Sequence, residues 1–228
     1  MENQRQIDPM YATDTNSDAL TGSKATDNIV ALESIQVNAE EQLYRAGAYR
    51  ILATLLKSAP DQEVLEQVSG FASIESEGDE LVMAMAMLGL SASATQPESI
   101  DDEFHELFIG LGRGELMPYG SWYLTGFLME KPLGKLRDDL AALGYQRKTE
   151  VHEPEDHASA LCDVMAMLIA DGVSHQTQAT FFNNHMANWF DRFFDDLSKA
   201  NAAIFYKAVG RFGVAFTSFE KQYLGMQV

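Results

Sequence analysis

Apolar residues recur three and four positions apart, row after row, from Tyr44 to Tyr223, and no stretch shows a convincing strand pattern. Tyr44, Ala48, Ile51, Leu52 and Leu55 form the first row, with Glu40, Glu41, Arg45 and Arg50 at the intervening positions. Pro60 opens a second segment, where Val64, Leu65 and Val68 precede a stop at Gly70. Leu81, Val82, Met85 and Leu88 sit in a stretch that is apolar on nearly all sides, which predicts a central helix buried against several neighbours. Ile100, Phe104, Leu107, Phe108 and Leu111 make a row opposite Asp101, Asp102, Glu103 and Glu106. Behind Pro132, Leu133, Leu136, Leu140 and Leu143 run to Gly144. Leu161 to Ile169 mark another helix, and Phe182, Met186, Trp189, Phe193 and Leu197 read as one more. Phe205, Ala208, Phe212, Phe216, Phe219 and Tyr223 mark the last. The expectation is an all-α fold, a single-domain helical bundle of about nine to ten helices.

The segment 1–36 is polar, with few large apolar residues, and reads as a mobile tail ahead of a helical domain over 37–228. The connection 145–152 is a candidate hinge, which allows either a monomer or a homodimer that exchanges helices. Sixteen Lys and Arg against 34 Asp and Glu give a formal charge of −18, which argues against a nucleic-acid partner. The single cysteine, Cys162, permits no internal disulfide and reads as a small core residue. No apolar stretch reaches the roughly 20 residues that span a bilayer, and the acidic N-terminus lacks the features of a secretory signal or transit peptide. A cytoplasmic protein without membrane insertion is expected.

Chemistry-bearing residues are few. His152-Glu-Pro-Glu-Asp-His157 holds two histidines and three carboxylates in six residues, but the histidines are five apart with Pro154 between them, which does not fit a zincin helix. Pro154 fits the first turn of a helix, Glu155 and Asp156 suit its positive end, and His157 should point inward. Asp156 and His157 could form an acid–base pair, yet no nucleophile or oxyanion donor is placed to use it, so a hydrolase is disfavoured. Gly110-Leu-Gly112-Arg-Gly114 lacks the Gly-Lys-Ser/Thr of a nucleotide loop, and a di-iron ligand set does not repeat. Neither a metal nor a cofactor is expected. Met83, Met85 and Met87 read as core filling. Four glycines and a proline between Gly110 and Gly120 require a structured loop, followed by Tyr119, Trp122 and Tyr123. So much aromatic area beside a loop either plugs the end of the bundle or lines a groove, which on an acidic protein suits a peptide that is apolar in one part and basic in another.

At these residues the sequence resembles the TorD/DmsD/NarJ family of redox-enzyme maturation chaperones, particularly its TorD-like branch. Phe104-His-Glu-Leu107-Phe108, Gly110-Leu-Gly112 and Pro118-Tyr119-Gly-Ser121-Trp122-Tyr123 are similar to its aromatic-x-x-Leu-Phe helix and its Pro-Tyr-x-Ser-x-Tyr segment. Glu153-Pro154-Glu-Asp156-His157 matches the family's Glu-Pro-x-Asp-His signature. The resemblance covers about Asn38 to the C-terminus. It departs at Leu111, where many members carry proline.

The resemblance implies a cytoplasmic, non-enzymatic chaperone that binds the twin-arginine signal peptide and apo-form of a molybdopterin oxidoreductase until its cofactor is inserted. Formate dehydrogenase and the trimethylamine N-oxide or dimethyl sulfoxide reductases are the client types it suggests. Phe108, Tyr119, Trp122 and Tyr123 would take the apolar part of the leader, Asp156 would face its arginines, and His157 would orient Asp156 or touch the leader. Some members bind guanine nucleotide, for which this sequence shows no supporting loop. A helical scaffold protein without a redox client is the alternative.

Overall fold

The computed structural model describes residues 11–13, 28–75 and 78–226. Its elements, in chain order, are strand β1 (Tyr11–Thr13), α1 (Asn28–Lys57), α2 (Gln62–Ser69), α3 (Glu80–Ser93), α4 (Pro97–Phe104), α5 (Gly120–Thr125), α6 (Lys131–Ala142), strand β2 (Tyr145–Arg147), α7 (Ala158–Ala170), α8 (His175–His185), α9 (Phe190–Lys199) and α10 (Phe205–Gly225). The fold is therefore helical, as the apolar rows require. Of the segment read as a tail, 1–10 and 14–27 lie outside the described residues, while Tyr11–Thr13 forms β1 and α1 already runs from Asn28.

The 30-residue α1 lies along α7, which buries ten of its residues, Cys162 among them, at the centre of the bundle. Central burial was expected of α3 instead. That helix sets Ala84, Leu88 and Ala92 against α2 and α10 but leaves Met83, Met87 and Leu90 exposed, so only Met85 of the three clustered methionines packs on the core. Helix α10 crosses α9 closely. A Cβ on Gly213 would lie 2.1 Å from the Phe194 ring, and one on Gly210 would lie 2.5 Å from the Ser198 nitrogen, so only glycine admits this approach.

Three further departures from the sequence reading have identifiable causes. The single helix expected through Phe182 to Leu197 breaks between α8 and α9, because the indole of Trp189 donates to the His185 carbonyl at 2.7 Å while its backbone N–H turns to Met186 at 3.1 Å. A continuing helix would have given that carbonyl to the backbone N–H of Trp189. Glu103, placed on the solvated face by periodicity, is buried and accepts from the backbone nitrogens of Ile204, Phe205 and Tyr206 at 2.7, 3.0 and 2.7 Å. It caps the positive end of α10 from a distant helix. Finally, β1 and β2 form an antiparallel ribbon, with Tyr11 opposite Arg147 and Thr13 opposite Tyr145. Strands of three residues are too short to show a period of two.

Helix α4 runs into a wider turn over His105–Ile109, closed by a bond of 2.7 Å from Gly110 N–H to the His105 carbonyl. Gly110 then adopts φ +58°, where a side chain would collide with the Arg113 carbonyl. The glycine-rich stretch is thus an ordered reversal. Its Leu111, at the position where the resemblance fails, projects fully into solvent.

Candidate functional site

The reversal delivers the chain to Pro118 and Tyr119, which run antiparallel to the segment before α7. Gly120 N–H donates to the Asp156 carbonyl at 2.9 Å, and Ala158 N–H donates to the Pro118 carbonyl at 2.8 Å. These two bonds join the two motifs into one site. Asp156 then secures the join with its side chain, whose Oδ2 accepts the backbone N–H of Ser121 at 2.7 Å and so caps α5. The other carboxylate oxygen, Oδ1, is buried and has no donor among the described residues. An acceptor left without a donor in the interior is costly.

Helix α7 starts at Ala158, four residues later than Pro154 suggested, because His157 is its N-cap. The imidazole Nδ1 accepts the Ser159 N–H at 3.1 Å and lies 2.7 Å from the Ser159 hydroxyl, while the edge of the ring meets Tyr119. His157 therefore points inward, as expected, yet it makes no hydrogen bond to Asp156 and does not orient it. Tyr119 donates its hydroxyl to Glu153. Glu155, meanwhile, is buried between Arg137 and Arg147, which contact it at 2.8 and 3.1 Å. Burial works to raise the Glu155 carboxyl, but the hydrogen bond from Arg137 and the two guanidinium charges hold it below its usual range.

Burial pushes the His157 imidazole down to about 4. Its unfolded value is about 6.5, so between those limits the unfolded chain binds the extra proton. Stability due to this group is complete above the window and is lost as pH falls through it. Between pH 7 and 4.5 the native protein should lose about 2 kcal/mol more than His157→Gln. Urea unfolding at the two pH values measures this, and equal losses would refute a buried neutral imidazole.

Trp122 and Tyr123 project from α5 on its other side. Tyr123 stacks on Trp189 at 5.5 Å, donates to Asp196 at 3.0 Å and lies beneath the Arg192 guanidinium, while Arg113 covers Trp122. Both rings are partly buried and line a cavity, and Tyr123 also meets Phe193 edge-on. Ser121 is buried and accepts the Met129 N–H at 3.2 Å. Phe104 and Phe108 pack on Tyr206 of α10, with centroids 6.0 and 5.4 Å away. Leu107 is enclosed by the core and offers no surface to a ligand.

Beside Asp156 opens a pocket of 210 Å³, lined also by Gly120, Leu124, Pro132, Leu136 and His185. Next in sequence come Phe127, Leu128 and Met129, which are 69%, 41% and 73% exposed. Sequence reasoning passed over these three, although an apolar run between Gly126 and Pro132, where no helix forms, was a readable signal. Among the described residues no group of His, Cys, Asp and Glu could hold a metal ion, and no helix is long and apolar enough to cross a membrane.

Comparison with known proteins bears on the family and the fold. Residues 74–195 match the family described as nitrate reductase delta subunit. The chaperone protein TorD of Vibrio cholerae serotype O1 is 30% identical over 176 residues, covering 71% of this chain and 79% of that protein. TorD of Aliivibrio fischeri is 29% identical over 202 residues, covering 79% and 94%. A crystal structure of a protein described as a redox enzyme maturation protein, from Archaeoglobus fulgidus, superposes with a TM-score of 0.52 at 18% identity, over 77% of this chain and 92% of that one, which supports the fold. The helical fold, the joined motifs and these relatives together establish that the chain belongs to the TorD/DmsD/NarJ family of redox-enzyme maturation chaperones.

Proposed function

We propose that this chaperone binds the twin-arginine leader of a molybdopterin oxidoreductase, of the formate dehydrogenase or trimethylamine N-oxide/dimethyl sulfoxide reductase type. It holds the apo-subunit in the cytoplasm until the cofactor is in place and export can proceed. The observation that carries this reading is the buried Oδ1 of Asp156, which lacks a donor and belongs to a residue lining a pocket beside exposed apolar side chains. A guanidinium supplies the missing donor and the opposite charge at once. Leu124, Phe127, Leu128 and Met129 then offer apolar surface to the hydrophobic part that follows the arginines in such a leader. Glu153, Pro154 and Tyr119 act in this scheme as the frame around Asp156, with His157 as the cap of α7, while Trp122 and Tyr123 extend the apolar floor. The family relatives named TorD support the chaperone role.

Calorimetric titration of the full chain with leader peptides from candidate clients tests the proposal, each run beside a copy whose arginine pair is replaced by glutamine. A micromolar dissociation constant, about −8 kcal/mol, weakened tenfold or more by the replacement, is the expected result. Equal affinity for both copies would overturn arginine recognition, and no binding to any leader would favour a scaffold that holds no redox client.

A further inference from the structure

A cleft of 470 Å³ lies across α5 from Asp156 and contains Arg113, Trp122, Tyr123, Arg192 and Asp196. Two arginines in one cleft are unexpected in a chain with 16 basic and 34 acidic residues. Each guanidinium is held over a ring, Arg113 at 5.2 Å from the Trp122 centroid and Arg192 at 5.5 Å from that of Tyr123. Stacking fixes the plane of the guanidinium and leaves its N–H edge free to meet a planar oxyanion. Arg192 spends one donor on the Tyr123 carbonyl at 3.3 Å.

The acidic groups of the cleft, Glu115 and Asp196, accept from neutral donors rather than from the arginines. Glu115 accepts from the Asn201 backbone and side chain at 2.7 and 3.0 Å and from the Ala202 backbone at 3.0 Å. Asp196 accepts the Tyr123 hydroxyl at 3.0 Å. Among the described residues, neither arginine is paired with a carboxylate. The cleft thus holds a pair of oriented guanidiniums beside aromatic surface, whereas the Asp156 pocket sets its carboxylate beside Lys135 and apolar side chains. Leu124 lines both cavities.

We propose that this cleft is a carboxylate subsite, in which Arg113 and Arg192 bind the acidic side chain of a peptide whose chain crosses Leu124 from the Asp156 pocket. It rests on the reading that the Asp156 pocket takes a peptide cation, and it adds a direction. A peptide with its arginine at Asp156 and an acidic residue beyond the apolar contact fits in one orientation, since the reverse sets like charges against each other at both ends.

The probes are N-acetyl-Phe-Leu-Glu-amide and its glutamine counterpart, titrated into the full chain and followed by tryptophan fluorescence. Trp122 is in the cleft and the other tryptophan, Trp189, is buried, so Trp122 dominates the response. The glutamate probe should bind at least fivefold more tightly than the glutamine probe. That difference should vanish in the double variant Arg113→Gln/Arg192→Gln, whose altered side chains are exposed, so its thermal melt should match the native one. Equal affinity of the two probes for the native chain, or a preference that survives in the double variant, overturns the subsite while leaving arginine recognition at Asp156 intact. Glutamate preference in a chain that binds no arginine leader keeps the subsite and removes the leader reading.

Discussion

Replacing Glu220 by alanine lowers the unfolding free energy by about 3–5 kcal/mol. Glu220 is fully buried and accepts from Arg45 Nε and Nη2 at 2.6 and 2.8 Å and from the Tyr49 hydroxyl at 2.8 Å. Arg45 gives its remaining nitrogen, Nη1, to Gln178 and Gln42, each at 2.8 Å, and its guanidinium lies 4.2 Å from the centre of the Tyr223 ring. The network ties α1 to α8 and α10. Removing the carboxylate leaves a guanidinium out of water with only neutral acceptors, and that uncompensated charge sets the size of the loss. The double replacement Arg45→Met/Glu220→Leu removes both charges and should recover most of the stability, because apolar side chains of similar volume need no desolvation of ions. Urea unfolding of the native chain, Glu220→Ala and the double variant measures both the loss and the recovery. A loss below about 1 kcal/mol in Glu220→Ala would mean that Arg45 reaches solvent and the pair behaves as a surface one.

Arg45 also shows where the sequence is silent. Periodicity placed it among polar positions on the outer face of the first helix, and Glu103 likewise on the outer face of its own. Both are buried because their partners lie more than 100 residues away, Glu220 for one and the start of α10 for the other. A helical row records which residues are apolar, so a charged residue that the fold encloses looks the same as one in water. By contrast, the helices themselves, the stop at Gly144 and the glycine reversal were legible, since those signals are local. Within the site, Pro118 to Tyr123 and Glu153 to His157 stood out as motifs, and the fold joins them through paired backbone bonds. Arg113, Leu124 and Arg192 did not stand out. Each is an ordinary residue for its loop or helix and gains meaning only when α5 sets it on one wall of a cavity.

The role proposed for Asp156 can be separated from its role in folding, because its two oxygens have different work. Oδ2 accepts the Ser121 N–H, and Oδ1 waits for a donor. In Asp156→Asn the amide oxygen keeps the cap of α5 while the charge is lost, so the melting temperature should stay near the native one and leader affinity should fall at least tenfold. In Asp156→Ala both are lost, and about 1 kcal/mol of stability should go with the cap. Affinity in the alanine variant should drop no further than in the asparagine variant, because the guanidinium contact is already gone there. A leader with its arginine pair replaced by glutamine should bind the native and asparagine chains alike. That coupling between Asp156 and the leader arginines is what a structural residue would not produce. If Asp156→Asn binds the arginine leader as tightly as the native chain, the carboxylate has no part in recognition, and the apolar run at Phe127 to Met129 must carry the binding.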